Sequence, residues 1–190
     1  MPSSKQIYIK PDQVAELLTA TPKRDDFLVI DVRSSDFPGG NLPGALNLTT
    51  REFGSPDKIE RVINDHIVPR PNLSKVIVHC MRSQTRGPYV AHLLSHSPAL
   101  PPSVEVVILE GGFQGWYRRF RGRRELFENL YGEVEDGVAG GTGEGREAAG
   151  PGWRKKGKGK GEWEDVVNAR EGDVGEAQDS RELRERLGRA

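Results

Sequence analysis

The residues most suited to chemistry in this chain are a cysteine and an arginine six positions apart, Cys80 and Arg86, within the stretch HCMRSQTRGP. An apolar run precedes the pair and a helical pattern follows it, so the sequence predicts a strand, a loop and a helix. A loop that closes onto a helix N-terminus turns backbone N–H groups toward an anion and favours the thiolate form of a cysteine. A guanidinium binds two oxygens of a tetrahedral oxyanion. We therefore predict that Cys80 is a nucleophile and Arg86 an oxyanion clamp, the two candidate catalytic residues.

The five residues between this pair form the predicted substrate-binding loop: Met81, Arg82, Ser83, Gln84 and Thr85. Arg82 adds a second positive charge that suits an anion, although an exposed arginine is also common in loops. None of the five is a carboxylic acid. A proton donor for a leaving alcohol must therefore lie elsewhere, or the favoured substrates have good leaving groups.

The pattern around this loop alternates between strands and helices. Apolar and alternating runs predict five strands, at Gln6–Lys10, Phe27–Val32, Ala45–Leu48, Lys75–Cys80 and Val104–Glu110. Helical spacing predicts helices from Pro11, from Ser55-Pro56, over Arg86–His96 and in the segments that follow to Leu130. This alternation is typical of an α/β fold with a central, mainly parallel sheet and helices on both faces. Ligands of such sheets bind at the carboxyl ends of the strands, where Cys80 falls.

The composition narrows the classes of protein. The 190 residues carry 28 basic and 28 acidic side chains, so no overall charge indicates nucleic acid or membrane as a partner. No stretch approaches the roughly 20 apolar residues of a membrane helix, and the N-terminus lacks the pattern of a secretory signal. We expect a cytoplasmic protein, with a nuclear location as a further option.

Cys80 is the only cysteine, which excludes an internal disulfide and a zinc site built from several thiolates. If Cys80 is oxidised in turnover, the resolving thiol must come from another molecule. The histidines show no metal-like convergence: His92 and His96 have helical spacing but no evident third ligand, so a surface helix is favoured. No metal is expected.

The amino-acid composition of the chain changes near Gly132. Residues 132–190 hold 14 of the 23 glycines and few branched aliphatic residues, which predicts a Gly-rich, charged and disordered tail. Residues 5–131 are the predicted catalytic domain. The basic stretch Arg154–Gly161 could serve nuclear import or nucleic-acid binding, but a solvated stretch within the tail is favoured.

Three segments together resemble a known family. HCMRSQTRGP resembles the loop of the M-phase inducer (cell-division-cycle 25-type) phosphatases and of their relatives, the fungal and plant arsenate reductases. VIDVRSSDFPGGNLPGALNL resembles the first signature of the rhodanese fold, and LEGGFQGW, Leu109–Trp116, its closing signature. The resemblance covers about residues 5–120 and implies a rhodanese-like domain.

The resemblance also implies roles for residues outside the loop. Asp31 and Arg33 could be read as an acid and a substrate clamp, but the family favours a structural role at the strand end. Glu110 is expected to be a supporting hydrogen-bond partner rather than a catalytic acid. His79 is expected to point away from the anion and to hold the loop. Trp116, Tyr117 and Phe120 are expected to pack the last helix on the sheet.

The predicted function is a cysteine-dependent phosphatase of the dual-specificity/tyrosine type, acting through a phosphocysteine. The alternative is an arsenate reductase that uses glutathione and glutaredoxin as external thiols; no other cofactor is expected. A thiosulfate sulfurtransferase is disfavoured because that group generally has a loop one residue shorter. A non-catalytic binding module is disfavoured because both Cys80 and Arg86 are retained.

Overall fold

The computed structural model describes residues 6–130. The predicted tail, residues 132–190, and its basic stretch Arg154–Gly161 lie outside the described residues, so these predictions stay as they are. Within the described part, no helix is long and apolar enough to cross a membrane.

The centre of the fold is a five-stranded sheet in which every paired strand is parallel. The strands lie in the order β1-β5-β4-β2-β3, with bounds β1 (Tyr8–Ile9), β2 (Phe27–Asp31), β3 (Leu46–Asn47), β4 (Lys75–His79) and β5 (Glu105–Leu109). The prediction of a mainly parallel α/β sheet is confirmed. The two edge strands are shorter than predicted, because only two residues of each pair with a neighbour.

The helices cover the two faces of this sheet. Their bounds are α1 (Pro11–Thr19), α2 (Pro56–His66), α3 (Arg86–Ser95) and α4 (Gly112–Phe120), with 3₁₀ turns at Thr50–Phe53 and Arg124–Leu126. Proline opens α1 and α2, where the missing N–H costs nothing, and the Ser55 hydroxyl caps α2 by accepting from the amide of Lys58. The last helix ends at Phe120 rather than continuing toward Leu130, and Arg121 and Gly122 form the turn that follows.

Side chains of β4 alternate between two hydrophobic layers. Val76, Val78 and Cys80 belong to the layer under α2 and α3, whereas Ile77 and Met81 belong to the layer that includes α1 and α4. A central strand covered on both faces is therefore apolar throughout. Cys80 follows this strand directly, and the two layers hold it in place.

The layer under α4 is rich in aromatic residues. Trp116 is fully buried, and its indole N–H donates to the carbonyl of Leu126 at 3.0 Å. Tyr117 and Phe120 lie in the same cluster, which confirms that these aromatic residues pack the last helix onto the sheet. This packing fixes the N-terminus of α4 beside the end of β4.

Candidate active site

Cys80 lies at the carboxyl end of β4, between β5 and β2 in the middle of the sheet. Its side chain is 2% exposed, as is that of Arg86, which begins α3. The segment between them returns to the sheet as a short closed loop. Both predicted catalytic residues are therefore buried, one at each end of this short loop.

The carbonyl groups of the loop are held by the N-terminus of α4. The amide of Phe113 donates to the carbonyl of Cys80 at 2.9 Å, and the amide of Gln114 donates to that of Met81 at 2.8 Å. Gly112 has a φ of +58°, and a Cβ there would lie 2.5 Å from the Cys80 carbonyl oxygen. Only glycine allows this approach. The loop carbonyls thus face α4.

The amide groups of the loop are used differently. Across the described residues, the N–H groups of Met81 to Thr85 donate to no protein acceptor. Ser83 is 3% exposed with a φ of +54°, and its hydroxyl has no hydrogen-bond partner among residues 6–130. A buried hydroxyl such as that of Ser83 is normally satisfied, and a bound oxyanion would supply acceptors to it and to the loop amides. The loop therefore fits an anion beside the thiol.

Helix α3 adds its N-terminus to the same place. The amide of Tyr89 donates to the carbonyl of Thr85 at 2.9 Å, which closes the first turn. A Cβ on Gly87 would come within 3.4 Å of the Cys80 backbone nitrogen, so this residue lets the helix start against the strand end. The positive end of the helix dipole thus favours an anion bound at the loop.

Arg86 has a partner that sequence reasoning missed. Its Nη1 lies 2.9 Å from Oδ1 of Asp36, and its Nη2 lies 2.5 Å from Oδ2. Burial would raise the pKa of Asp36, but the hydrogen bonds and charge of Arg86 lower it by more, and the net pKa is below its usual value. Asp36 is therefore a carboxylate at neutral pH. No local pattern reveals this pair, because 50 residues separate its members.

Asp31 and Arg33 form a second buried ion pair next to the first. Nη2 of Arg33 lies 2.6 Å from Oδ2 of Asp31 and donates to the carbonyl of Gly40 at 2.7 Å. The guanidinium also stacks over the ring of Phe113, 3.9 Å from its centroid. Both side chains are fully buried. The pair therefore fixes the backbone after β2 and joins it to α4.

His79 lies under the loop. Its Nδ1 is 3.2 Å from the carbonyl oxygen of Cys80, and its Nε2 is 3.7 Å from Oδ2 of Asp31. Complete burial lowers the pKa of His79, and although the charge of Asp31 raises it, the net pKa lies below its usual value. The imidazole is therefore neutral at pH 7 and contacts the backbone of Cys80.

The remaining predicted residues lie at the rim of the loop. The Nε of half-buried Arg82 donates to Oε1 of Gln114 at 3.2 Å, which directs its positive charge along the rim. Gln84 is exposed and Thr85 is half-buried. The carboxylate of Glu110 is exposed; only its backbone N–H is engaged, with the carbonyl of Ile9 at 3.0 Å. Among residues 6–130 the structure gives Glu110 no side-chain contact of the supporting kind expected.

Tyr8 is a further residue that the sequence did not indicate. Burial raises the pKa of its phenol, and the charge of Cys80 raises it further. Tyr8 is nonetheless 48% exposed and lies on β1, two strands away from β4, and no hydrogen bond among residues 6–130 joins its hydroxyl to the loop.

The histidine pair on α3 stands apart from this site. The rings of His92 and His96 lie 4.1 Å apart, on a half-buried and an exposed residue respectively. Within the part of the chain that the structure describes, no three histidine, cysteine, aspartate or glutamate side chains converge as metal ligands do.

A parallel sheet with a cysteine loop at the end of its central strand defines the class. Residues 10–119 match the family of rhodanese-like domains, and the chain belongs to that family. This family match, together with the relatives described next, confirms the predicted resemblance and the predicted fold.

Three curated relatives share this domain. The chain is 30% identical to the dual specificity phosphatase ibp1 of Schizosaccharomyces pombe, over 64% of this chain and 95% of that protein. It is 29% identical to the CDC25-like phosphatase YCH1 of Saccharomyces cerevisiae, over 70% and 88%. It is 28% identical to arsenical-resistance protein 2 of the same yeast, over 50% and 76%.

A solved structure agrees with these relatives. The Saccharomyces cerevisiae protein Ygr203w, described as a homolog of single-domain rhodanese and of the Cdc25 phosphatase catalytic domain, superimposes with a TM-score of 0.58 at 25% identity. The match covers 74% of this chain and all of Ygr203w. The prediction of an enzyme related to phosphatases and arsenate reductases is thereby confirmed.

Proposed function

We propose that this protein is a cysteine-dependent phosphatase of the dual-specificity/tyrosine type. The observation that carries the proposal is the loop: the carbonyls of Cys80 and Met81 are bound by α4, while the amides of Met81 to Thr85, which follow the buried Cys80, have no protein acceptor in the described residues. The names of the relatives in both fission and budding yeast support the same activity.

The proposed reaction has two steps. The thiolate of Cys80 attacks phosphorus in line, the bond to the leaving oxygen breaks, and the departing alkoxide or phenoxide takes up a proton. Water then attacks the phosphocysteine, which releases inorganic phosphate and restores the thiolate. The loop amides and Arg86 bind the three equatorial oxygens, where charge is held in the transition state. Arg82 adds positive charge at the rim.

The proton donor for the leaving group is not within the loop. The described carboxylate beside Arg86, Asp36, is ionised and engaged in two contacts, so it is a poor proton donor at neutral pH. Substrates whose leaving groups need little protonation, such as aryl phosphates, should therefore react best. A phosphorylated molecule is the proposed partner, in the cytoplasm or the nucleus.

Arsenate reduction is the second candidate, and one specific observation favours it: Cys80 is the only cysteine and no acid stands in the loop. The thiolate would attack arsenate and displace water to give a thiol–arsenate adduct. Glutathione would then attack the sulfur, so that two thiols are oxidised to a mixed disulfide while As(V) is reduced to As(III). Glutaredoxin would restore Cys80. Similarity to arsenical-resistance protein 2 supports this candidate.

Three parallel assays separate the candidates. Purified wild type and Cys80→Ser should be compared on an aryl phosphate, on arsenate with glutathione and glutaredoxin, and on thiosulfate with cyanide. We expect the wild type to release phosphate from the aryl phosphate and the serine variant to lose that activity. Reduction of arsenate without hydrolysis of the aryl phosphate would favour the reductase. Activity that survives Cys80→Ser would reject a thiolate mechanism.

A further inference from the structure

The ion pair between Arg86 and Asp36 fixes the orientation of the predicted clamp. The two contacts involve Nη1 and Nη2 of the guanidinium and both oxygens of the carboxylate, with side chains 2% and 5% exposed. Two parallel contacts in one plane set both the position and the rotation of a guanidinium. A guanidinium has five N–H donors, so an oxyanion can be bound by donors that Asp36 does not use.

Asp36 is itself held by the backbone after β2. Its Oδ1 accepts from the amide of Ser34 at 3.0 Å, and its carbonyl accepts from Nη1 of Arg33 at 3.2 Å. Arg33 is in turn fixed by Asp31 and by the ring of Phe113. These contacts connect Arg86, through Asp36, to the backbone that follows β2.

We propose that Asp36 is a positioning residue for catalysis, which holds the Arg86 guanidinium in the plane required to bind two oxygens of the oxyanion at Cys80. The inference rests on the proposed function, because it requires an oxyanion in the loop. Preorganised donors stabilise a transition state without reorganisation at the moment of reaction. The alternative is that Asp36 inhibits the enzyme, because its carboxylate would compete with the substrate for Arg86.

The charges around Asp36 keep it ionised under ordinary conditions. It faces the guanidinium groups of Arg86 and Arg33, and its own charge acts on the imidazole of His79. Because Arg86 lowers the pKa of this carboxyl, the pair persists at neutral pH and is lost only in acid. Activity that depends on the pair should therefore fall as the pH drops through the pKa of Asp36.

The test compares Asp36→Ala, Asp36→Asn and Asp36→Glu with wild type on an aryl phosphate. The control is Asp12→Ala, which removes an exposed carboxylate paired with Arg119 and has no contact with the Cys80 loop among those of the described residues. We expect kcat/KM to fall about 10- to 100-fold in Asp36→Ala and Asp36→Asn, the loss typical of groups that orient a functional residue. We expect Asp36→Glu to recover part of it and Asp12→Ala to match wild type.

Two further measurements distinguish positioning from mere stability. Tungstate binding to the Cys80→Ser background should weaken when Asp36→Asn is added, and the melting temperature of each variant reports its stability separately. A rise in kcat/KM or tighter tungstate binding would show competition and overturn the proposal. An unchanged kcat/KM with a lower melting temperature would reduce Asp36 to a structural role and also overturn it.

Failure of the proposed function gives a different pattern. In that case the wild type neither hydrolyses the aryl phosphate nor binds tungstate, and the positioning role falls with it. An active wild type whose Asp36 variants are equally active refutes only the role of Asp36. If Asp36→Ala does not fold, Asp36→Asn and Asp36→Glu decide the outcome by the same criteria.

Discussion

The amide of Phe113 donates to the carbonyl of Cys80, so that the N-terminus of α4 holds the residue proposed as the nucleophile. A hydrogen bond in this direction turns the carbonyl away from the loop interior. The neighbouring amides are then left for an anion. The geometry of the Cys80 loop thus depends on a helix that begins 32 residues later in the chain.

Gly112→Ala tests this contact between α4 and the loop. A Cβ would lie 2.5 Å from the Cys80 carbonyl oxygen, at a φ that side chains rarely adopt. We expect the free energy of unfolding to fall by about 1–3 kcal/mol and the aryl phosphatase activity to drop with the displaced loop. Urea unfolding and steady-state kinetics measure the two effects.

Gly122→Ala is the matched control for that substitution. A Cβ at Gly122 meets no atom within 4 Å, and its φ is not in the left-handed region. The variant should keep wild-type activity and should not lose stability. Equal effects of the two substitutions would contradict the role assigned to Gly112.

Arg86→Lys tests the planar clamp while keeping the positive charge. Lysine cannot bind two oxygens in one plane, nor can it keep both contacts with Asp36. We expect kcat/KM for an aryl phosphate to fall about 10²- to 10³-fold, as for loss of a donor to a transition-state oxyanion. Arg70→Lys, at an exposed arginine, should behave as wild type. An active Arg86→Lys enzyme would argue that point charge alone suffices.

The absence of an acid from the five loop residues predicts a strong dependence on the leaving group. Without a donor, negative charge accumulates on the departing oxygen, so kcat/KM should fall steeply as the pKa of the leaving phenol rises. A series of substituted aryl phosphates at one pH gives this slope. A flat series would point to an efficient proton donor outside the loop.

His79 predicts a pH dependence of stability. Its pKa is lowered in the folded protein, mainly by burial, so the unfolded chain binds a proton more readily. The free energy of unfolding should therefore decrease as the pH falls from about 6.5, the ordinary histidine value, to the folded pKa, and this contribution is constant below it. Denaturant titrations from neutral to acid pH measure the trend. The trend should weaken in His79→Gln and persist in His66→Gln.

Removal of residues 132–190 tests the predicted domain boundary. The family match ends at residue 119, within the predicted catalytic domain of residues 5–131. The truncated protein should keep the aryl phosphatase activity and the melting temperature of the full chain. A large loss of either would place part of the functional unit in the C-terminal region.

Local patterns in the sequence determined the segment around Cys80 and the type of sheet. The buried strand before Cys80, the loop to Arg86 and the helix after it are encoded by residues close together in the chain, so spacing and apolar periodicity predict them. The same holds for the parallel sheet, since continuous apolar runs separated by helices leave few other arrangements. The lone cysteine set the need for an external thiol in any redox cycle.

Tertiary structure alone decided which distant residues complete the site. Asp36 meets Arg86, Gly112 meets Cys80 and Gln114 meets Arg82 because the order β5-β4-β2 brings the ends of three strands together. These contacts carry no periodic signal, because each is a single pairing across 32 or more residues. Glu110 shows the converse: the resemblance implied a supporting side chain, but the residue is exposed and its carboxylate has no hydrogen bond within residues 6–130. Spacing along the chain therefore predicts the nucleophile and the clamp, and packing between strands determined what holds these two residues.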